Sequence, residues 1–353
     1  MRSHSSSPSL GDIAAKAAIS KAAVSMALRN HPRIAPSTRK RIQAIAARLG
    51  WRPNPLLSGA MSSLRAGQPA ADRVVLAWVT AHPRRDAWRQ VPFFLRCFEG
   101  ARARALTVGY HLKHFWLGDA NGSPERLSGI LYARGIAGLV IAPLPKPGSL
   151  DLTWGRFCAV TIGYSLTKPR LHRAIENNYS SARQAVARLA AQGRQRIGLV
   201  LTEDQDQRVN GMWSAGYLLQ SVEAGIRDPA LIFRPSKLRE RPFLAWVDAM
   251  RPDAIISIDP RIPHWLQRAG RTGPRAISYV DLNLPGLDHS AWPGIFQDAQ
   301  GIGASAVDLL VSQLMRHDHG IPDKPTTVMI ESRWVDTHSA ARIQNQAAAV
   351  AAC

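Results

Sequence analysis

A short stretch near the N-terminus carries side chains whose types and spacing suit contact with a DNA duplex. Lys21, Ser25 and Arg29 offer hydrogen-bond donors, and Ala22 is small enough to let a helix enter a groove closely. Met26 can touch the methyl group of thymine but cannot donate a hydrogen bond to guanine. The alternative interpretation is a small helical bundle with a solvated basic face. The distribution of charge along the chain argues against that alternative.

Three predicted helices would position this stretch. Ser9, with Asp12 three residues later, is a capping-box pattern for the first helix. Ser20 is an N-cap candidate for the second helix, and the third is predicted to run from Pro36 to Gly50. Because so few residues separate the first two helices, they must cross steeply, as in a helix-turn-helix motif. The predicted core positions are Leu10, Ile13, Ala14, Ala17, Val24, Ala27, Leu28, Ile42, Ile45, Ala46 and Leu49.

The N-terminal region holds half of the excess positive charge of the chain. Residues 1–67 contain eleven Lys and Arg residues and one acid, a net charge of +10 out of +20 for all 353 residues. Half of the excess therefore lies in less than a fifth of the chain. A basic helix-turn-helix of this kind is the electrostatic footprint of a protein that binds duplex DNA.

Residues 9 to about 56 resemble the headpiece of the lactose-repressor (LacI/GalR) family of bacterial transcription regulators. The matching residues read L-x-D-I-A, then I-S-K-x-x-V-S-x-x-L-x-N, then T-R-x-R-I and A-x-x-L-G-W-R-P-N. The resemblance implies a DNA-binding domain over residues 9–54. The DNA-contacting residues that we expect from it are Ser20, Lys21, Ala22, Ser25, Met26, Arg29, Asn30, Arg33, Thr38 and Arg39.

Three residues of this segment depart from the family pattern. Ala18 stands in the turn between the first two helices, where the family usually has Gly. Met26 stands where the family often has a polar or basic side chain that reads a base. Ala35 precedes the third helix without the side-chain oxygen of the usual Ser or Thr, which predicts a weaker start for that helix.

Residues 55–72 resemble the hinge of the family, which becomes a short helix on DNA and inserts a pair of Leu side chains into the minor groove. The spacing differs in this chain. Either Met61 is the inserted side chain, or Leu64 is, with a longer hinge. A plain linker is the third possibility.

The remaining residues show no pattern typical of catalysis or of metal binding. Cys97, Cys158 and Cys353 are too widely spaced for a disulfide framework or a zinc site, and His111 with His114 is a weak metal-binding pair. The sequence contains no GxSxG, P-loop or GxGxxG motif. We therefore expect no enzyme activity, no metal and no cofactor.

The sequence gives no sign of a membrane segment. No run approaches the roughly 18 apolar residues that a membrane helix needs. Residues 1–8 lack the apolar core of a secretion signal and are interpreted as a disordered arm. Residues 343–353 are interpreted as a loose tail. We expect a cytoplasmic protein that makes no membrane contact.

Beyond residue 73, short apolar runs alternate with segments of helical periodicity. Examples of the runs are residues 74–79, 138–142 and 253–258. The alternation predicts parallel sheets with right-handed crossovers, in a two-lobed α/β domain of the type I periplasmic-binding fold. By the resemblance, the domain spans residues 73–342. Its N-subdomain would comprise 73–171 and 299–325, and its C-subdomain would comprise 172–298 and 326–342.

Polar and aromatic residues after the predicted strands are candidates for binding a small effector. Open parallel sheets bind ligands beyond the carboxyl ends of their strands, and mixed aromatic, amide and acid groups suit a polyhydroxylated ligand. Trp213 occupies the position where the family often has an Arg, and the nearest arginine is Arg208. Asp259-Pro260 replaces the usual Asn-Asp. The candidate effector residues are Asp86, Trp88, Asn178, Trp213, Asp259, Asp281 and Gln297.

The sequence therefore predicts a homodimeric, sequence-specific transcription regulator, most simply a repressor. Its partners would be a pseudopalindromic DNA operator and a small sugar-like effector. One alternative is a constitutive DNA-binding regulator that has lost effector control. A second alternative, a solute-binding protein, needs a signal peptide, and a third, a sugar-processing enzyme, needs a catalytic cluster.

Overall fold

A computed structural model describes residues 10–28, 34–49, 74–271, 277–284, 286 and 292–336. The chain divides into two compact units, one within residues 1–72 and one within residues 73–353. Several predictions lie outside the described residues: the arm, the hinge with Met61 and Leu64, the tail, the caps at Ser9 and Gly50, and the contacts of Arg29, Asn30 and Arg33.

The small unit contains three helices, Leu10–Ala17 (α1), Lys21–Leu28 (α2) and Pro36–Arg48 (α3). Their buried apolar side chains form one cluster, and Leu28 and Leu49 pack against it while partly buried. The predicted core is thereby confirmed, since all but one of the predicted positions belong to this cluster or its margin. The buried members are Ile13, Ala14, Ala17, Val24, Ala27, Ile42, Ile45 and Ala46. The remaining position, Leu10, belongs to α1, but its side chain lies outside the described part of the structure.

The first sheet of the large unit is parallel throughout. Its central strands are nearly continuous apolar runs because helices cover both of its faces. From edge to edge, its strands are Thr327–Ile330 (β13), His172–Glu176 (β7), Cys158–Ile162 (β5), Gly138–Ile141 (β3), Val75–Thr80 (β1) and His111–Trp116 (β2).

Helices Pro92–Thr107 (α4) and Ala299–Arg316 (α11) cover one face of this sheet, and Pro124–Ala133 (α5) lies on the other. The two helices on the first face approach very closely. A Cβ atom on Gly303 would lie 1.9 Å from the carbonyl oxygen of Cys97, so only glycine fits at this crossing. Two short strands form a separate parallel pair: Gly148–Ser149 (β4), which follows β3 in the sequence, and Leu166–Lys168 (β6), which follows β5.

The second sheet is parallel except for one edge strand, β14, which runs antiparallel to β12. Its strands, from edge to edge, are Arg333–Val335 (β14), Gly294–Phe296 (β12), Ser278–Leu284 (β11), Ala254–Ser257 (β10), Ile197–Val200 (β8) and Ile232–Phe233 (β9). Side chains of successive strand residues alternate between two apolar clusters, one on each face.

Helices Asn178–Ala191 (α6) and Met212–Glu223 (α8) pack on one face of the second sheet. Glu240–Met250 (α9) and Arg261–Arg268 (α10) pack on the other. A short helix, Glu203–Gln207 (α7), follows β8. Single 3-10 turns lie at Ala87–Gln90, Leu117–Ala120, Trp154–Arg156 and Pro229–Leu231. This architecture confirms the predicted fold class, a small helical headpiece with a two-lobed α/β domain.

The predicted subdomain boundaries need correction at two points. Residues 172–176 and 327–330 were assigned to the C-subdomain, but both are strands of the first sheet and pair with each other. The chain therefore crosses to the second lobe after Glu176, returns after Phe296, and crosses again between Ile330 and Arg333. Strand β7 was not predicted because charged or polar residues stand at both of its ends, so its sequence lacks the apolar run that marks the other strands. Residues 327–330 were then assigned to the wrong lobe because their partner strand was missing from the prediction.

Candidate functional site

The turn between α1 and α2 is closed by two main-chain hydrogen bonds. Ile19 N donates to Ala14 O over 3.2 Å, and Ala18 N donates to Ala15 O over 3.4 Å. This is the pattern of a Schellman motif, in which the residue after the helix adopts a left-handed conformation. Ala18 does so, with φ of +53°. The left-handed turn thus forms although residue 18 is alanine and carries a Cβ atom.

Helix α2 begins at a side-chain cap. The Oγ of Ser20 accepts a hydrogen bond from Ala23 N over 3.1 Å, which confirms the predicted N-cap. Ser20 and Lys21 are exposed, and Met26 is half-buried. Ser20 and Lys21 are therefore open to solvent at the start of the helix, and Met26 is partly accessible near its end.

Other residues of the predicted DNA-contacting set lie on α3 or outside the described features. Thr38 and Arg39 are half-buried on the first turn of α3. The side chains of Ala22 and Ser25 are not described, although their backbone belongs to α2. Contact with DNA stays a prediction for the whole set.

In the large unit, Arg208 connects the two lobes. It follows α7, which begins after the carboxyl end of β8, and its guanidinium donates to Pro145 O over 2.7 Å and to Leu144 O over 2.9 Å. Those two carbonyl groups follow the carboxyl end of β3 in the first lobe. The carboxyl edges of the two sheets therefore face each other, which is where open parallel sheets bind ligands.

Two buried acids of the second lobe lie close to the carboxyl end of β10, Asp259 just after it and Asp281 on β11 opposite Ser257. The carboxylate of Asp259 is held by Arg261, at 2.9 Å from its Nε and 2.7 Å from an Nη. Asp281 accepts a hydrogen bond from Asn283 N over 2.8 Å. Burial, with the nearby charge of Asp259, raises the pKa of Asp281 to about 6. The two predicted residues are thus close enough to interact electrostatically, and a carboxyl group such as that of Asp281 can accept a hydrogen bond from a hydroxyl group.

Gln297 and Asn178 are also buried, near the points where the chain passes between the lobes. The Nε2 of Gln297 donates to Leu282 O over 2.9 Å, and the Nδ2 of Asn178 donates to Glu176 O over 3.3 Å. The Oδ1 of Asn178 meets no donor among the described residues. Asn178 thus has an acceptor left over, whereas the amide group of Gln297 is engaged within its own lobe.

Beside Asn178, a network of polar groups joins two of the crossing segments. The Oγ of Ser181 donates to Glu176 Oε1 over 2.7 Å and lies 2.7 Å from the Oγ of Ser332. The Nδ2 of Asn177 donates to Glu331 over 2.8 Å. Burial raises the pKa of Glu176 to about 8, against the weaker opposing effect of the two serine hydroxyls. The first and third crossings are therefore tied together around a carboxyl group that favours its protonated form.

Both tryptophans that were predicted to cover a ligand ring lie in apolar cores, so that interpretation is wrong for the structure described. Trp88 is fully buried, with its ring centroid 5.2 Å from those of Phe98 and His114. Trp213 is 5 % exposed and belongs to the core between α6, α8 and the second sheet. The physical reason is that burial of a large aromatic ring in an apolar core is more favourable than its exposure in an open cleft.

The remaining predicted effector residue, Asp86, is exposed at the surface of the first lobe. Its carboxylate pairs with Arg89 at 3.2 Å, and its side chain is 68 % exposed. It therefore differs from the buried acids of the second lobe, and the structure does not bring it into contact with them.

Two cleft residues have a larger part in the geometry than the sequence indicated. In the sequence, Arg208 is only the arginine nearest to Trp213, and His82 is only one of several polar residues that follow the first predicted strand. The ring of His82 lies 3.1 Å from Pro143 O, and its pKa is lowered by burial and by the charge of Arg208. Position at strand ends was the available signal for both.

Among the described residues, no cluster of His, Cys, Asp or Glu has the composition to hold a metal ion. Within that same part of the chain, none of the helices combines the length and the apolar character needed to cross a membrane. These findings concern the described residues alone and say nothing further about location.

Comparisons with known proteins support both units. Residues 9–54 match the model of a family described as bacterial regulatory proteins, lacI family, which confirms the resemblance seen in the sequence. No curated protein matches the chain. One similar solved structure is a transcriptional regulator CelR–cellobiose complex, with 18% identity, 93% of this chain and 98% of that chain covered, and a TM-score of 0.59.

Two further solved structures extend the comparison. A lac repressor dimer bound to operator and the anti-inducer ONPF has 17% identity, with 94% of this chain and 98% of that chain covered and a TM-score of 0.54. The transcription regulator CcpA of Lactococcus lactis has 14% identity, with 75% and 98% covered and a TM-score of 0.55. At these identities the likeness establishes the fold.

Proposed function

We propose that this chain, a regulatory protein of the lacI family by its residues 9–54, represses or activates transcription by binding a pseudopalindromic operator as a homodimer. The observation that carries the proposal is the match of the family model to the helix-turn-helix described above. The net charge of +10 in residues 1–67 supports it, since that charge would draw the small unit to the phosphate backbone.

In the proposed complex, α2 lies in the major groove. Lys21 and Arg39 would contact phosphates, Met26 would touch a base edge, and the other predicted residues would position the helix. Residues 55–72 would form the hinge, with Met61 or Leu64 inserted in the minor groove. A homodimer follows because one such helix reads only a half-site.

The experiment that tests DNA binding is selection of genomic fragments by the purified full chain, followed by sequencing and footprinting. We expect one enriched sequence with two half-sites, whose centres lie about 10 base pairs apart or a multiple of that. Measurement of mass in solution accompanies the footprint. A monomer that protects a single half-site, or a failure to enrich any sequence, contradicts the proposal.

We further propose that a small polar effector binds between the two lobes of the large unit and controls operator affinity. The facing carboxyl edges and the buried acceptors Asp281 and Asn178 support this site. The solved relatives include complexes with cellobiose and with ONPG. A sugar or a related polar metabolite is accordingly the ligand class to examine, and coupling between the two sites would be reciprocal.

A second candidate function, constitutive DNA binding without effector control, is favoured by two observations. The carboxylate of Asp259 is occupied by Arg261, and Trp88 and Trp213 are in apolar cores. Thermal melting against sugars, sugar acids and nucleosides separates the two candidates, because a ligand that binds the folded chain must raise its melting temperature. Absence of any shift in melting or in operator affinity would favour the constitutive regulator.

We propose no catalytic role for the chain and a cytoplasmic location. The family that matches residues 9–54 is described as regulatory proteins. Assay of the purified chain with chromogenic glycosides tests the first point, and fractionation of cells that express the chain tests the second.

A further inference from the structure

The guanidinium of the half-buried Arg208 has neutral acceptors. Its two hydrogen bonds to Leu144 and Pro145 end on neutral main-chain carbonyl oxygens of the opposite lobe. Two other arginines of the second lobe pair with buried carboxylates instead, Arg234 with Asp206 at 3.0 Å and Arg261 with Asp259 at 2.7 Å. A carbonyl oxygen leaves the guanidinium charge uncompensated, whereas a carboxylate neutralises it.

The surroundings of Arg208 increase the effect of that charge. Burial lowers the pKa of its guanidinium, and the ring of Phe94 lies 5.8 Å below it. His82, which its charge also reaches, has a lowered pKa and so favours the neutral form. Asp204, on the short helix α7, is near enough to raise the pKa of Arg208 electrostatically, but this effect is smaller than that of burial. The site therefore contains a partly desolvated cation held by weak acceptors.

We propose that Arg208 binds the anionic group of the effector, which is thus a small metabolite that carries a carboxylate or a phosphate. The inference rests on the proposed function, in which the cleft holds an effector. A carboxylate or phosphate group attracts the guanidinium charge more strongly than a neutral carbonyl oxygen does, and it can accept from two N–H groups of the guanidinium at once. An anion that enters the cleft therefore displaces Leu144 O and Pro145 O from the guanidinium.

The consequence for the lobes follows from the same contacts. Without a ligand, Arg208 itself bridges the lobes through the two carbonyl groups. With an anion bound, the bridge from second lobe to first passes through the ligand. A ligand placed between Arg208 and the first lobe takes up more space than a direct hydrogen bond does. The separation of the lobes therefore changes when the anion binds.

The test uses the full chain and simple probes. The melting temperature is measured in sodium phosphate and in sodium chloride at equal ionic strength, and then with D-gluconate, D-glucose 6-phosphate and D-glucose. We expect a saturable rise with phosphate. We also expect the two anionic sugar derivatives to bind about tenfold more tightly than D-glucose, or better, because each forms a charge-assisted bond that D-glucose lacks.

Arg208→Gln removes the cation but keeps an amide donor, and is expected to abolish the preference for anions. Arg208→Lys keeps the charge without the fork of donors and is expected to retain part of it. Arg194→Gln is the matched control, because this half-buried arginine precedes β8 at the opposite end of the sheet. If Arg208→Gln does not fold, Arg208→Lys carries the comparison.

Three results would overturn the proposal: equal binding of D-glucose and the anionic derivatives, an anion preference that persists in Arg208→Gln, or no saturable response to phosphate or either acid. Operator binding is measured on the same preparations. An intact footprint with any of these results rejects the anionic effector alone, whereas loss of the footprint in the parent chain rejects the proposed function itself.

Discussion

The guanidinium of Arg41, on α3, donates to the carbonyl oxygen of Ala17 over 3.3 Å. Ala17 is the last residue of α1, and its carbonyl group has no partner within that helix. The contact lies one residue before the left-handed Ala18, where the chain turns into α2. The third helix therefore helps to hold the turn that orients the proposed recognition helix.

Replacement of Ala18 by glycine is expected to stabilise the small unit by about 1 kcal/mol, because glycine adopts a positive φ without the steric cost that alanine bears. Hydrogen exchange of the α1 and α2 amide groups in the full chain measures the change. Ala15→Gly is the matched control, since the same substitution inside a helix should destabilise it by about 1 kcal/mol. Faster exchange in Ala18→Gly would contradict the role given to the turn.

Lys21→Ala is expected to weaken binding to all DNA sequences and to lower the salt slope of the binding constant by about one unit, because one phosphate contact is lost. Arg39→Ala should act in the same way. Titration of DNA at several salt concentrations measures the slope. Lys113→Ala, on an exposed strand residue of the large unit, is the control and should leave the slope unchanged.

Met26→Ala is expected to change the preference at one base position and to cost about 1 kcal/mol there. The salt slope should stay as in the parent, because a thioether makes no ionic contact. Selection of binding sites with the variant and the parent, side by side, measures the preference. Identical selected sequences would show that Met26 does not read a base.

Glu176→Gln is expected to alter the dependence of stability on pH. Because the pKa of Glu176 is raised from 4.5 to about 8, the folded state holds this proton more tightly than the unfolded state. The free energy of unfolding should therefore fall by about 1 kcal/mol per pH unit as the pH rises between those values. The variant, which cannot ionise, should lack that component and gain stability relative to the parent towards pH 8.

Chemical unfolding of the parent, Glu176→Gln and Glu99→Gln across this pH range provides the comparison. Glu99 is exposed on α4, so its change should leave the parent's pH dependence in place. A parent and a Glu176→Gln variant with parallel pH curves would mean that the carboxyl group is not protonated preferentially in the folded chain.

Much of the fold was predictable because its strands are apolar runs bounded by turns. The run that contains β1 is buried almost throughout, and the helices on either side show the expected periodicity. Strand β7 escaped prediction because it begins with His172 and Arg173 and ends with Glu176, all charged or polar. Strands β12 and β14 are three residues long and too short to show a period.

The candidate site was predictable in part. Strand-end position made Asp259 and Asp281 candidates, and in the structure both lie close to the carboxyl end of β10, because parallel strands end at a common edge. Their contact with a ligand stays a prediction. The failure at Trp88 has a physical reason, since a 3-10 turn directs its ring back into the core instead of outward. The bridge made by Arg208 depends on which carbonyl groups the other lobe offers, and side-chain type does not reveal that.

The threefold passage between the lobes has a consequence for biosynthesis. The edge strand β13 and the helix α11 belong to the first lobe, yet the ribosome makes them only after five of the six strands of the second sheet. Until then, β7 presents an unpaired edge, and the side chains that α11 covers are open to water. Exposed edges of this kind invite pairing with other nascent chains. Slow translation beyond residue 296 would prolong that exposure, and chaperones that shield β-edges would matter most during this interval.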